Sequence, residues 1–233
     1  MGWLDDIGKS LPIEKIYDDL ARDSVIQVGS IALNSIKAAR CVLAPIDYLA
    51  AQQDKLQSHL RRVNEIVPED RQINAHPLVS GPIIDALKYV ESESLIAEMF
   101  ENLLARAIDK ERVNEAHPAF SKIISQLSPD EALILSLFKE KSYEMEVNFI
   151  YSYNFKDIDG MEIVVNEFPV NDLMFPENYA MYLEHLCNLN LLKQFNSFHK
   201  VKEDSPYNYK YSLIKTKLSS FGELFSKACI SKQ

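Results

Sequence analysis

The sequence predicts a mainly α-helical protein with a small β component: an all-helical domain over residues 1–127, then a winged-helix-like α+β domain over 128–233. Three observations predict it. The strong hydrophobic patterns before residue 127 repeat at helical spacing, whereas β-branched and aromatic runs of strand type fall after 140. All seven arginines lie at or before Arg112, while 17 of the 22 Phe and Tyr residues lie at or beyond 128. The net charge of −9 divides into −5 for residues 1–127, −9 for 128–192 and +5 for 193–233. Segregation of this kind marks two units of different construction.

In chain order, residues 1–16 read as an arm anchored by Trp3. A helix is expected over about 18–43, with Asp18 and Asp19 at the positive end of its macrodipole. Pro45 is expected to kink or divide it, and the pattern resumes over 46–67 through Tyr48, Leu49, Leu56, Leu60, Val63 and Val67. Residues 67–82, with three prolines and a glycine, read as a loop, and Pro82 as the first turn of a helix over 82–91. Helices over 93–110 and 118–126 complete the first domain.

Ser128-Pro129-Asp130-Glu131 is a capping box, since serine caps the helix and a glutamate three residues on reaches back to its N–H. Its helix runs to about Lys141, and residues 145–168 form a β-hairpin inserted after it. A helix over 176–189, a strand, a polar tip and a returning strand make the end of a winged-helix unit. A last helix begins at Ser219, with Phe221, Leu224, Phe225 and Ala228 as its apolar face.

Composition bounds the function classes. Hydrophobic residues at 47% and charged residues at 25% exclude global disorder, and the acidic balance argues against sequence-independent coating of phosphates. Three scattered cysteines, Cys41, Cys187 and Cys229, with no Cys/His cluster, argue against a zinc site and for a reducing cytoplasm. The N-terminus lacks the basic start and apolar core of a secretory signal. Residues 24–51 are apolar, but Lys37 and Arg40 interrupt them, so burial among helices is preferred to membrane insertion, and a membrane-acting helix 18–66 stays as an alternative.

No phosphate loop, nucleophile elbow or metal-ligand spacing is legible, so no catalytic residue, metal or cofactor is assigned. His59, beside Arg61 and Arg62, reads as solvated; His76 and His117 precede prolines and read as structural. Glu98, Glu101, Arg106 and Asp109 read as surface ion pairing, Arg106 and Asp109 being three residues apart. The outer face of helix 176–189 carries Glu177 and Glu184 and no lysine or arginine, the wrong chemistry for a major-groove reader. Lys193, Lys200, Lys202, Lys210, Lys215 and Lys217, interleaved with tyrosines, are the candidate nucleic-acid contacts, though a solvated strand face is preferred.

Residues 99–109, MFENLLARAID, and 115–135, EAHPAFSKIISQLSPDEALIL, resemble the bacterial abortive infection alpha (Abi-alpha) family. The resemblance rests on Asn102, Leu103, Leu104, Ala105, Asp109, His117, Pro118, Phe120, Leu127, Ser128, Pro129, Asp130, Glu131 and Ala132. Looser similarity covers the N-terminal helices, residues 81–90 and residues 218–230, with Ser219 and Phe221 departing from a Leu-Thr-x-x-Gly turn. The family is linked to phage defence and has no accepted catalytic set. The resemblance therefore implies a defence component acting through protein contact or self-association, with Asn102, Leu104, Asp109, His117, Pro118, Phe120, Ser128, Pro129 and Glu131 as structural or interaction residues. A nucleic-acid-binding regulator is the alternative.

Overall fold

The computed structural model describes residues 34–151, 158–198 and 209–231. The arm at 1–16, the first part of helix 18–43, Lys200 and Lys202 lie outside them. The fold is mainly α with one small antiparallel sheet, and the chain divides into two units between Ser125 and Gln126.

The first unit contains α1 (Asn34–Ile66), α2 (Pro77–Leu87), α3 (Leu95–Ile108) and α4 (Pro118–Ile124). α3 is its hub and packs against the other three. Seven consecutive residues, Met99 to Ala105, are buried, as expected of a helix surrounded by others. α1 contributes Leu56, Leu60, Val63 and, just past its end, Val67; α2 contributes Val79, Ile83 and Leu87; α4 contributes Phe120, Ile123 and Ile124. These spacings of three and four put each set on one helix face.

Three expectations for this unit are corrected. α1 runs unbroken through Pro45, because a single missing N–H removes one hydrogen bond from a 33-residue helix and the flanking turns carry the rest. Tyr48 and Leu49 follow the apolar pattern but are 60% and 51% exposed. α2 begins at Pro77 rather than Pro82 and ends at Leu87. His76 caps it, its Nδ1 accepting the Leu78 N–H at 3.2 Å, so Pro77 takes the favoured first position and Pro82 lies inside the helix.

The second unit contains α5 (Pro129–Glu140), β1 (Tyr143–Tyr151), β2 (Ile158–Asn166), α6 (Tyr179–Asn188), β3 (Leu192–Phe198), β4 (Tyr209–Leu218) and α7 (Ser220–Cys229). The early hairpin is not separate from the later one. β1 pairs with β4, giving one four-stranded antiparallel sheet in the order β2-β1-β4-β3. Its inner face carries Tyr143 and Val147 on β1 and Ser212, Ile214 and Thr216 on β4, all buried, and the alternate residues face outward. Val165 pairs with Glu146 and Ile163 with Val147, so Val164 is the extra residue of a β-bulge.

Aromatic rings join this sheet to its helices. Phe168 stacks on Phe138 of α5 at 5.6 Å and on Tyr179 of α6 at 4.8 Å, and meets Tyr143 of β1 edge-on at 5.1 Å. Just past the end of α6, Asn190 is the one non-glycine residue with positive φ among those described, at 58°, which asparagine tolerates. Leu191 N–H returns to the Leu186 carbonyl at 2.9 Å, and the Leu191 carbonyl accepts from Ser219 N–H at 2.9 Å. Ser219 then caps α7 by accepting the Gly222 N–H at 2.8 Å. On α7 Phe225, Ala228 and Cys229 are buried while Leu224 is 58% exposed, so the helix is rotated from the face its apolar residues suggested. Among the described residues no helix is long and apolar enough to cross a membrane.

Gly222 is the steric pin of this junction. A Cβ there would lie 2.8 Å from the Leu191 carbonyl carbon and collide with its oxygen. Gly222→Ala should therefore destabilise the protein by about 1–3 kcal/mol. Gly81→Ala, where a Cβ meets nothing within 4 Å inside α2, should instead stabilise by about 0.5–1 kcal/mol. Urea unfolding of both variants checks the contrast.

Candidate functional site

The charged chemistry of the described chain is concentrated in four buried carboxylates: Glu101, Asp109, Asp130 and Glu131. Glu101 lies on the α3 stripe between Ala97, Leu104 and Ile108, which turns it inward toward α1. There its Oε1 is 2.5 Å from Nδ1 of His59 and 2.8 Å from Nε of Arg62. Arg62 also donates to Ser58 Oγ at 3.1 Å and to the Ser92 carbonyl at 3.0 Å. Burial pushes the Glu101 carboxyl up, but the hydrogen bonds and charges of His59 and Arg62 outweigh it and hold the group below the usual carboxylate range.

His59 is 0% exposed, which corrects its reading as a solvated residue. Leu56, His59 and Val63 share one face of α1, and the imidazole enters the core because Glu101 meets it there. Nδ1 faces the Glu101 carboxylate and also lies 2.8 Å from Nη2 of Arg62. Nε2 is buried without a hydrogen-bond partner among the described residues.

Asp109 caps the C-terminus of α3 rather than pairing with Arg106. Its carboxylate is gripped by Arg71, with Nε donating to Oδ1 at 3.1 Å and Nη2 donating to Oδ2, and it accepts the Glu111 N–H at 3.0 Å. Burial pushes this carboxyl up, but Arg71 and the Glu111 N–H bring it below its ordinary value. Ile73 N–H to the Ile108 carbonyl at 2.8 Å and Lys110 N–H to the Arg71 carbonyl at 3.0 Å clasp the same two segments. Arg106 pairs with Glu115 at 3.2 Å, and so does Arg112 at 3.0 Å. Asn102 and Leu104 are buried within α3. His117 caps α4, its Nδ1 accepting the Ala119 N–H at 3.1 Å, with Pro118 first in the helix and the buried Phe120 ring 5.5 Å from the imidazole.

In the second unit Ser128 and Glu131 close the capping box: Glu131 N–H donates to Ser128 Oγ at 3.2 Å, and Ser128 N–H to Glu131 Oε2 at 2.7 Å, with Pro129 at the first helical position. The other oxygen of Glu131 is 2.5 Å from Nδ1 of His185 on α6. Asp130 accepts from Met174 N–H at 2.8 Å, Phe175 N–H at 3.0 Å and Tyr182 Oη at 3.1 Å. Burial foremost, and the Asp130 charge with it, push the Tyr182 phenol up. Asp130 thus holds a segment that presents Met174 and Phe175 to solvent.

The candidate lysines whose side chains are described are Lys193, Lys215 and Lys217, all exposed. Lys215 pairs with Glu144 at 2.9 Å, Lys217 lies 5.1 Å over the Phe195 ring, and Lys193 is exposed opposite Lys217 in the β3–β4 register. Lys210 lies on β4. Among the described residues, no three His, Cys, Asp or Glu side chains converge so as to hold a metal ion.

Arg62, Arg71, Asp130 and Tyr182 are partners that sequence reasoning missed. A usable signal existed for Glu101 and His59, since each is a polar residue in the middle of an apolar stripe. Arg71, in a loop, gave none.

Glu101 titrates below its unfolded value, so its contribution is present above the ordinary glutamate pKa and is lost as pH falls through the folded value. Glu101→Gln should cost about 1–3 kcal/mol at pH 7. The loss of stability between about pH 5 and pH 3 should be shallower in the variant than in the parent. Urea midpoints across that range check this.

A family model described as abortive infection alpha matches residues 51–229. No curated protein and no solved structure matches the chain.

Proposed function

The chain belongs to the abortive infection alpha family, and from that premise we propose that it is a phage-defence component acting as a non-enzymatic interaction or sensing protein. The helical unit mediates sensing or self-association, and the second, winged-helix-like unit contacts a protein partner. The observation that carries this reading is what the polar residues of the family-like segments do. Asp109 binds Arg71, His117 caps α4, and Ser128 and Glu131 cap α5. Each serves the fold. Apolar side chains meanwhile face solvent in both units, Leu78 at 69% and Met174 at 70%.

On this reading, substitutions in these segments harm defence only as far as they harm folding. Asp109→Ala removes the acceptor used by Arg71 and the Glu111 N–H and should cost about 1–3 kcal/mol. Asn102→Ala should cost about 1–3 kcal/mol. Plaque assays in cells carrying each variant, set beside its unfolding midpoint, should show protection falling in step with stability. A variant of unchanged stability that has lost protection would contradict the reading and point to a dedicated site.

A further inference from the structure

The four strands sort by charge. β1 and β2 carry Glu144, Glu146, Asp159 and Glu162 and no basic residue, while β3 and β4 carry Lys193, Lys210, Lys215 and Lys217 and no acidic one. With the order β2-β1-β4-β3, one outer strand is acidic and the other basic. Both also expose apolar side chains. Ile163, Val164 and Val165 of β2 are 48%, 50% and 46% exposed, and Phe195 of β3 is 50% exposed.

We infer that the sheet continues from one copy of this chain to the next, the acidic β2 edge of one protomer pairing with the basic β3 edge of its partner. Outer strands present unpaired backbone N–H and C=O groups that template such pairing. Direction agrees: all three pairings are antiparallel, so β2 and β3 run opposite ways and a head-to-tail neighbour sets them antiparallel again. Charge agrees as well. Within one unit the β1–β4 seam already joins an acidic strand to a lysine strand through Lys215 and Glu144, and the seam between copies repeats that chemistry. Pairing β2 with β2, or β3 with β3, would set like charges together. The bulge at Val164 keeps the contact short and the association weak. A heterologous contact of this kind leaves a free edge at each end, so the assembly grows rather than closing.

The inference names a second copy as the partner of the second unit and rests on the interaction reading above. Its test reads assembly alone, whereas the stability-and-defence comparison tests that reading separately. Sedimentation velocity of the full chain at low salt should show a weight-average coefficient that keeps rising with concentration, and rises less in high salt. Glu162→Lys and Lys193→Glu, both at exposed positions, should each weaken association by roughly threefold to tenfold. An equimolar mixture of the two variants should recover it, since each then meets an edge of opposite sign. If either reversal disturbs the circular dichroism spectrum, Glu162→Gln and Lys193→Gln replace them, with a smaller effect in the same direction. A chain monomeric at every concentration, a mass that stops at a dimer, or single variants that assemble as the parent does would overturn the inference.

Discussion

A buried carboxylate must find donors, and in both units this requirement decides how the helices meet. Moving an ion out of water costs several kcal/mol unless hydrogen bonds and opposite charge replace the solvent. Glu101, Asp109, Asp130 and Glu131 all meet it with partners remote in sequence: His59, Arg71, Tyr182 and His185, which lie 38 to 54 residues away. Apolar stripes make each helix bury a face, but many rotations and slides of a helix pair satisfy that demand nearly equally. A carboxylate facing one arginine or one imidazole does not. These contacts therefore set the register of α1 against α3 and of α5 against α6.

That constraint separates two kinds of polar residue in this protein. Those in the family-like segments are engaged inward, as caps, clasps and buried pairs. Those on the strands of the sheet are sorted by sign, and the sorting follows the strand order. An acidic chain of −9 thus contains a strand pair with four lysines and no acid beside a pair with four acids and no base. On the reading proposed above, interaction with other chains depends on outer strands and exposed apolar residues.

Local chemistry made part of this legible in the sequence. The Ser128–Glu131 box could be read because all its atoms belong to four consecutive residues, and α3 because its apolar residues recur every three or four positions despite Glu101. The continuity of α1 across Pro45 and the start of α2 at Pro77 were not legible, since proline is a strong local signal that neighbouring turns and an upstream histidine cap override. His59 was misread for a different reason: its companions Arg61 and Arg62 suggested a wet face, yet consecutive helical positions point about 100° apart, so Arg62 is half-buried against Glu101 while Arg61 is exposed. The pairing of β1 with β4 joins residues 59 to 73 positions apart, and no local pattern specifies it.

The most direct test of the account is a double-mutant cycle on Asp130 and Tyr182, which join the start of α5 to α6. Asp130→Asn, Tyr182→Phe and the double variant would be compared by urea unfolding. If buried carboxylates set how the helices meet, the two effects are coupled, with an interaction energy of about 1 kcal/mol or more. Additivity within about 0.3 kcal/mol would show that the contact is incidental to the packing and would contradict the central claim.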